Sequence, residues 1–353
     1  MLALGCSSSP PPSGSAAGES ASAPATPSVS QPSGPPSSTP TASPEPSPTQ
    51  RSTPAPKPSA KPSKKPDPIS VQALIERDYN GRDLDVGRLL EDAGPYKRYL
   101  VTYRSEDLKI SGVMNVPDGK GPFPVLVLAH GYIDPDVYKP GQGMRREQDY
   151  LARQGYVVLH TDYRGHATSD DDSSVDYELR LPYAVDVINA VLAVKESTLD
   201  YLDGDRVGLF GRSMGGNVTL NALVAKPGLV DAAVVYASTS SLAADNYETF
   251  SDDDEALNRR IDRGYGLPED APEFWKAASP RPYFDRVTEP IQIHHGTRDD
   301  TCPPEWSEET HEALKEAGKD SQLLRYRGEG HTFYSQWQRS IERTERFFDE
   351  HLD

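Results

Sequence analysis

Val207-Gly208-Leu209-Phe210-Gly211-Arg212-Ser213-Met214-Gly215-Gly216-Asn217 is the stretch on which the reading of the chain turns. A short apolar run passes into Gly-x-Ser-x-Gly, and residues 217–225 then follow a helical pattern. This predicts a strand, a sharp turn and a helix, the arrangement called a nucleophile elbow. So tight a turn leaves no room for side chains at Gly211 and Gly215. It also holds Ser213 in a strained conformation with its hydroxyl exposed at the sheet's edge. Gly-x-Ser-x-Gly alone is a weak signal, because small residues gather in turns. The strand before it and the helix after it give it weight.

Outward from that turn, short apolar runs alternate with helical periods. Val125-Leu126-Val127-Leu128-Ala129, closed by His130-Gly131, suits a strand buried on both faces. Similar runs are Tyr156-Val157-Val158-Leu159, Ala232-Ala233-Val234-Val235 and Ile291-Gln292-Ile293. Between them Leu181, Ala184, Val185, Ile188, Val191 and Leu192 recur at three- and four-residue steps, and a last helix is expected over 336–352. The expected fold is α/β, with a mostly parallel central sheet covered by helices on both faces, over residues 96–353. Residues 99–103 and 108–116 read as an antiparallel pair at one edge. Residues 69–95 read as a lead-in with a short helix over 71–77. The interruption at 242–285 is expected to be a small helical cap over the sheet's carboxyl edge, where open α/β sheets place their ligands. A surface insertion away from the site is the competing reading.

Composition divides the chain. Of 353 residues, 33 are proline and 2 are cysteine, and the formal net charge is −17. Residues 1–68 hold 18 of the prolines and 17 serines but no Phe, Tyr or Trp. Such a segment cannot bury enough apolar surface to offset its ordering entropy, and is expected to be a disordered linker. It carries +2, so the other 285 residues carry −19. An acidic body of this kind excludes a nucleic-acid binder, which needs clustered Lys and Arg. Two cysteines cannot build a disulfide framework or a tetrahedral thiolate metal site. No apolar run reaches the roughly 20 residues of a membrane-spanning helix.

The start of the chain, Met1-Leu2-Ala3-Leu4-Gly5-Cys6, runs into Ser7-Ser8-Ser9 and the Pro/Ser tract. Small or apolar residues ending in Gly-Cys before such a tract resemble the end of a bacterial lipoprotein signal. That resemblance implies Cys6 as the lipid anchor and an extracytoplasmic, membrane-tethered protein. Ala3 and Leu4 depart from the usual order, and the charged n-region is missing. An ordinary cysteine in a disordered leader is the alternative.

A serine hydroxyl is a poor nucleophile at neutral pH and needs a base, itself oriented by a carboxylate. The elbow arrangement expects the order serine, acid, histidine. Ile291-Gln292-Ile293-His294-His295-Gly296-Thr297-Arg298-Asp299 is a strand, a glycine turn and an aspartate, 86 residues beyond Ser213. A further strand over 323–326 leads to Gly328-Glu329-Gly330-His331, 32 residues beyond Asp299. The Met214 N–H is the expected first oxyanion donor, and the Tyr132 N–H, from the turn after His130-Gly131, the second.

These stretches together resemble an α/β-hydrolase, and specifically the catalytic domain of prolyl oligopeptidase-family serine hydrolases. The residues that carry the resemblance are Gly211-Arg212-Ser213-Met214-Gly215-Gly216, His295-Gly296-Thr297-Arg298-Asp299-Asp300 and Gly328-Glu329-Gly330-His331. Asp162-Tyr163-Arg164-Gly165 and Ser279-Pro280 add to it. The resemblance covers roughly 96–353 and implies Ser213 as nucleophile, Asp299 as acid and His331 as base. Residues 69–95 are too few to encode the β-propeller of the large oligopeptidases. The turn reads His-Gly-Tyr, where peptidase relatives often carry a second glycine or a differently placed tyrosine, so ester and peptide substrates both stay open.

Other residues compete for notice. Asp300 adjoins Asp299, and the family register favours Asp299. Asp162 reads as a structural partner for loop backbone. His294 and His295 suggest a metal site, but strand neighbours point to opposite faces and no further ligands accompany them. His130 is expected to orient its own turn, and Cys302 to be an unpaired thiol near the acid loop. Asn217-Val218-Thr219 matches a glycosylation pattern inside a helix expected to be buried. The expectation is an extracytoplasmic serine hydrolase, without cofactor, acting on a small ester, amide or peptide through an acyl-enzyme. The rival from another class is a tethered binding protein that keeps the fold without turnover.

Overall fold

The computed structural model describes residues 65–251 and 254–353, so Cys6 and most of the Pro/Ser tract lie outside the described residues. Nine strands occur among the described residues: β1 (Arg82–Asp92), β2 (Tyr96–Ser105), β3 (Leu108–Pro117), β4 (Phe123–Ala129), β5 (Val157–Thr161), β6 (Leu202–Arg212), β7 (Ala232–Tyr236), β8 (Ile291–Gly296) and β9 (Ser321–Tyr326). They form one sheet in the order β1-β2-β3-β5-β4-β6-β7-β8-β9. From β5 to β9 every pairing is parallel, while β1, β2, β3 and β5 pair antiparallel in turn. The parallel strands are buried along their length because helices cover both faces: every residue of β5, β7 and β8 is buried.

On one face lie α3 (Pro182–Glu196) and α4 (Met214–Ala225), and on the other α2 (Arg145–Arg153) and α9 (Trp337–Leu352). The spacing in α3 predicts one apolar face, yet α3 is buried nearly all round. The chain before β1 crosses its outer side, where the Asn80 N–H donates to the Asn189 side chain at 3.0 Å. α9 presents Ile341, Phe348 and Leu352 to Leu126, Leu128, Phe210 and Tyr236 of the sheet.

The lead-in contains α1 (Val71–Ile75), capped by the Ser70 hydroxyl, which accepts from the Ala73 N–H at 3.1 Å. It then supplies β1, so the antiparallel pair expected at the edge, β2 and β3, has one more strand outside it. Sequence patterning hides β1 because six of its eleven residues are charged. Its pairing with β2 also slips at three places.

After β7 the chain leaves the sheet for α5 (Ala243–Phe250), α6 (Glu255–Tyr265), α7 (Pro272–Ala277) and a 3-10 turn (Arg281–Arg286), then returns as β8. Asp254, from the acidic patch, caps α6 by accepting from the Ala256 and Leu257 N–H groups at 2.9 and 3.0 Å. β4 lies between β5 and β6, so the connection from β4 runs to one side and that from β5 back past it to the other. Strand order reverses there, and the carboxyl ends of β4 and β6 open the crevice such sheets use for ligands.

Candidate active site

Ser213 sits between β6 and α4 with φ 55° and ψ −124°, a region L-residues adopt only under constraint and at a cost of about 1–3 kcal/mol. The surrounding backbone holds it there. Its N–H donates to the Tyr236 carbonyl at 2.9 Å, and its carbonyl accepts from Gly216 at 2.8 Å and Thr239 at 3.2 Å. A Cβ on Gly211 would overlap the Gly215 carbonyl and the Thr219 hydroxyl, and one on Gly215 would overlap the Ala129 carbonyl. Both elbow glycines therefore answer to space.

Asp299 follows β8 and is buried, whereas the neighbouring Asp300 is exposed. Its carboxylate lies 2.9 and 3.2 Å from His331 Nδ1 and accepts from the Thr301 and Cys302 N–H groups, each at 2.9 Å. His295 Nε2 is 3.1 Å from the same carboxylate. Burial alone would raise the Asp299 carboxyl, but the bonds from His295, His331 and the Cys302 N–H outweigh it and hold the group well below the usual carboxylate range. Asp299 is thus ionised and aimed at His331.

His331 stands on the loop after β9 and lines the same cavity as Ser213. With Nδ1 turned to Asp299, Nε2 is the nitrogen left for the cavity. Glu329 ties the loop down, accepting from the Tyr334 N–H at 2.7 Å, the Gln336 N–H at 2.8 Å and the Ser335 hydroxyl. Met214 begins α4, where first-turn N–H groups have no partner within the helix. The turn carrying Tyr132 packs on Ser213, since a Cβ on Gly131 would stand 3.0 Å from Ser213 Cβ. Over the exposed Tyr132 ring, 4.4 Å from its centre, lies the Arg180 guanidinium, which is paired with Asp176 at 2.7 Å.

The cavity above Ser213 has a volume of about 910 Å³. Its far wall is the segment expected as a cap: Ala243, Asn246, Tyr247 and Phe250 from α5, and Leu257 and Ile261 from α6. α6 is fastened to the loop before α3 by aromatic contacts. Tyr265 stacks on Phe274 at 4.3 Å and meets Tyr177 at 4.8 Å, and the Arg260 guanidinium lies 4.0 Å over the Tyr177 ring.

The competing residues fall into other settings. Buried Asp162 accepts from the Tyr138 and Ser111 hydroxyls, each at 2.7 Å, and from the Gly141 N–H at 2.8 Å, which makes it an organiser of the loop after β4. His294 bridges Gln292 and the Tyr326 hydroxyl, while His295 points to the other face and reaches Ser307. His130 contacts the carbonyl of its own turn, at Gly131, and burial pushes it down to about 3. Burial, then the Asp299 charge, push the Cys302 thiol up to about 12, against a smaller lowering by the nearby Ser213 hydroxyl. Cys302 therefore stays a neutral thiol beside Ser213. Asn217 is half-buried and lines the cavity, and its amide is engaged with the Ser240 carbonyl at 2.7 Å.

Residues 142–353 match the Prolyl oligopeptidase family. The chain belongs to that family. Among curated relatives, it is 29% identical over 281 residues to the uncharacterized peptidase YuxL of Bacillus subtilis (strain 168), a match covering 71% of this chain and 39% of that one. It is 24% identical over 246 residues to the uncharacterized peptidase YtmA of the same organism, covering 69% of this chain and 90% of that one. The chain thus spans well under half of YuxL and most of YtmA. Among solved structures, it is similar to an acetyl xylan esterase from Paenibacillus sp. R4, with a TM-score of 0.61 and 20% identity over 80% of this chain and 92% of that one. It is also similar to the Pyrococcus horikoshii acylaminoacyl peptidase, with a TM-score of 0.57 and 21% identity over 73% of this chain and 42% of that one. These likenesses give the fold, the α/β-hydrolase fold. The prolyl oligopeptidase family is one of serine hydrolases, and both of the curated relatives above are described as peptidases.

Three groups that sequence reasoning missed surround this family site. Arg212, inside the elbow motif, donates to the His331 carbonyl at 2.8 Å and to Glu147 at 3.3 Å. Buried Glu147 also accepts from Trp337 Nε1 at 3.0 Å. Glu329 and Arg180 are the others. Arg212 and Glu147 pair across 65 residues of sequence, and Glu329 bonds within its own loop. Arg180 pairs with Asp176 four residues back in a turn, where that spacing gives no helical pattern to read. Only the position of Arg212 beside the serine offered a signal.

Proposed function

We propose that the protein hydrolyses carboxylic esters or small amides and peptides through a Ser213–His331–Asp299 triad and an acyl-enzyme. The observation that carries this reading is the His331 Nδ1–Asp299 contact at 2.9 Å, made on the wall of the cavity that the strained Ser213 enters. In the first step Ser213 Oγ bonds to the substrate carbonyl carbon and its proton passes to His331 Nε2. Asp299 holds the imidazole tautomer and stabilises the imidazolium. The carbonyl oxygen takes the negative charge and is met by the Met214 and Tyr132 N–H groups, each worth about 3 kcal/mol to the transition state. Collapse breaks the bond to the leaving alcohol or amine, which receives the proton from His331. Water, deprotonated by the same imidazole, then releases the acid and restores Ser213. The chemistry asks for no cofactor.

The reading extends to location. Cys6 carries the lipid, and residues 7–68 tether an extracytoplasmic enzyme to its membrane. Mass spectrometry of the native protein tests this: an acylated N-terminal Cys6 supports it, and an unmodified Cys6 on a soluble chain removes it.

Fluorophosphonate labelling tests the nucleophile. Wild type should label and Ser213→Ala should not, with activity reduced at least about 10³-fold. Labelling that survives the substitution would remove Ser213 from its role. A panel of p-nitrophenyl esters and aminoacyl anilides then separates esterase from peptidase.

A further inference from the structure

Asp299 is flanked by two imidazoles, and the reaction uses only one. His295 Nε2 lies 3.1 Å from Asp299 Oδ2, the same oxygen that stands 2.9 Å from His331 Nδ1, and 3.0 Å from the Cys302 carbonyl oxygen. Two acceptors facing one ring nitrogen fix the tautomer, since a lone pair there would be repelled by both. Nε2 therefore carries the proton, bonded to the Cys302 carbonyl and close beside Asp299 Oδ2. Nδ1 is the bare nitrogen and accepts from the Ser307 hydroxyl at 2.6 Å. His295 is buried, at 1% exposure, so its orientation is held by packing as well as by these bonds.

The arrangement closes a ring around the acid turn. The Cys302 N–H donates to Asp299, and the Cys302 carbonyl accepts from His295, which also reaches the carboxylate. With the Thr301 and Cys302 N–H groups on Oδ1 and His295 beside Oδ2, the carboxylate cannot rotate away from His331 without breaking several contacts at once. The charged and titratable groups facing His295 are Asp299 and Cys302 in the turn, Glu305 and Glu308 of α8 (Pro304–Glu316), Arg325 of β9 and, across the carboxylate, His331. Arg325 and Glu308 pair with each other at 2.6 Å, which leaves Glu305 and Asp299, and of these Asp299, at 3.1 Å, is the one in contact with His295.

We propose that His295 is a positioning residue for the acid: its Nε2–H locks the Asp299 carboxylate towards His331 and draws off part of the negative charge that His331 would otherwise receive. This rests on the triad reading above. A hydrogen bond to one oxygen of a carboxylate weakens what the group offers a second donor. Loss of the His295 donor should then make His331 hold its proton more tightly and let Asp299 wander.

The test compares His295→Gln, whose amide nitrogen reaches the place of Nε2, with His295→Asn, whose amide does not, and with His295→Phe, which fills the space without a donor. The hollow of about 210 Å³ behind the ring leaves room for all three. Steady-state kinetics on p-nitrophenyl acetate should show kcat lowered on the order of 10- to 100-fold in Asn and Phe at little-changed KM. The acid limb of their kcat/KM profile should move to higher pH. Gln should recover part of kcat and return the limb towards its wild-type position. If Phe does not fold, as judged by thermal unfolding, the Gln–Asn comparison still decides. Equal kcat in Gln and Asn with the acid limb unmoved would overturn the proposal, as would full activity in Phe. Fluorophosphonate labelling of wild type separates the two levels. A wild type that labels, with His295 variants that behave like it, overturns this proposal alone; a wild type that never labels overturns the triad and this proposal together.

Discussion

At the scale of single residues, Arg212 shows how a side chain beside Ser213 can act through the backbone of His331. Its guanidinium spans from Glu147 to the His331 carbonyl and leaves only 13% of its own side chain exposed. Arg212→Met would strand Glu147 in a buried site and free the His331 loop. The expected cost is about 3 kcal/mol of stability, read as a lower denaturant midpoint, with kcat down about tenfold or more. Arg212→Lys keeps the charge but loses the two-pronged geometry and should fall between. Adding Glu147→Gln to Arg212→Met should restore stability but not kcat; a double variant that recovers both would show that Arg212 only balances charge. Ser213, Asp299 and His331 were legible because their chemistry demands a fixed order along the chain and glycines at fixed offsets. Arg212 was not, because its partners come from α2 and from the loop before α9, distances that no local pattern encodes.

At the scale of elements, the cap is the part whose existence was legible and whose workings were not. A long interruption between two buried strands announced an insertion at 242–285. The contacts that fix it over the crevice are aromatic pairs between α6, α7 and the loop holding Tyr177. Tyr177→Ala removes the tilted ring contact that ties Tyr265 to the loop before α3, and the surface under Arg260. We expect KM to rise several-fold for long-chain p-nitrophenyl esters and far less for the acetate, with kcat on the acetate within about twofold of wild type. Equal effects on both substrates would mean that α6 does not shape the far end of the cavity. β1 was missed for the opposite reason. Its residues 82–92 alternate poorly and are rich in charge, which a terminal strand tolerates and a central one does not.

At the scale of the whole molecule, burial holds three of the interior histidines among the described residues neutral: His130, His160 and His294. Burial lowers His130 to about 3 and holds His160 and His294 well below the ordinary value of 6.5. Neither ring nitrogen of His160 has a hydrogen-bond partner. In the unfolded chain each takes up a proton as the pH falls below about 6.5, while in the folded protein none does until far lower. The unfolded state then binds more protons, so stability falls with falling pH. The slope approaches about 1.4 kcal/mol per pH unit for each histidine, about 4 for the three. Asp299, depressed in the folded state, works in the same direction, since its unfolded form also takes up the proton first, but only at lower pH, in the carboxylate range. Thermal unfolding between pH 7.5 and 5 should show the melting temperature dropping through this window, and His160→Met should flatten the slope by about one third. A melting temperature constant across the window would refute it.

The terminal strand has a consequence of its own. A bare strand at the end of a sheet is a template: its free N–H and C=O groups can accept a strand from another copy and begin a polymer. β1 spreads Arg82, Asp83, Asp85, Arg88, Glu91 and Asp92 along its length, and its step with β2 breaks three times. A second copy laid against it would meet its own charges and find no continuous register to follow. The segment that looked like a lead-in is the sheet's safeguard against growing outward into other molecules.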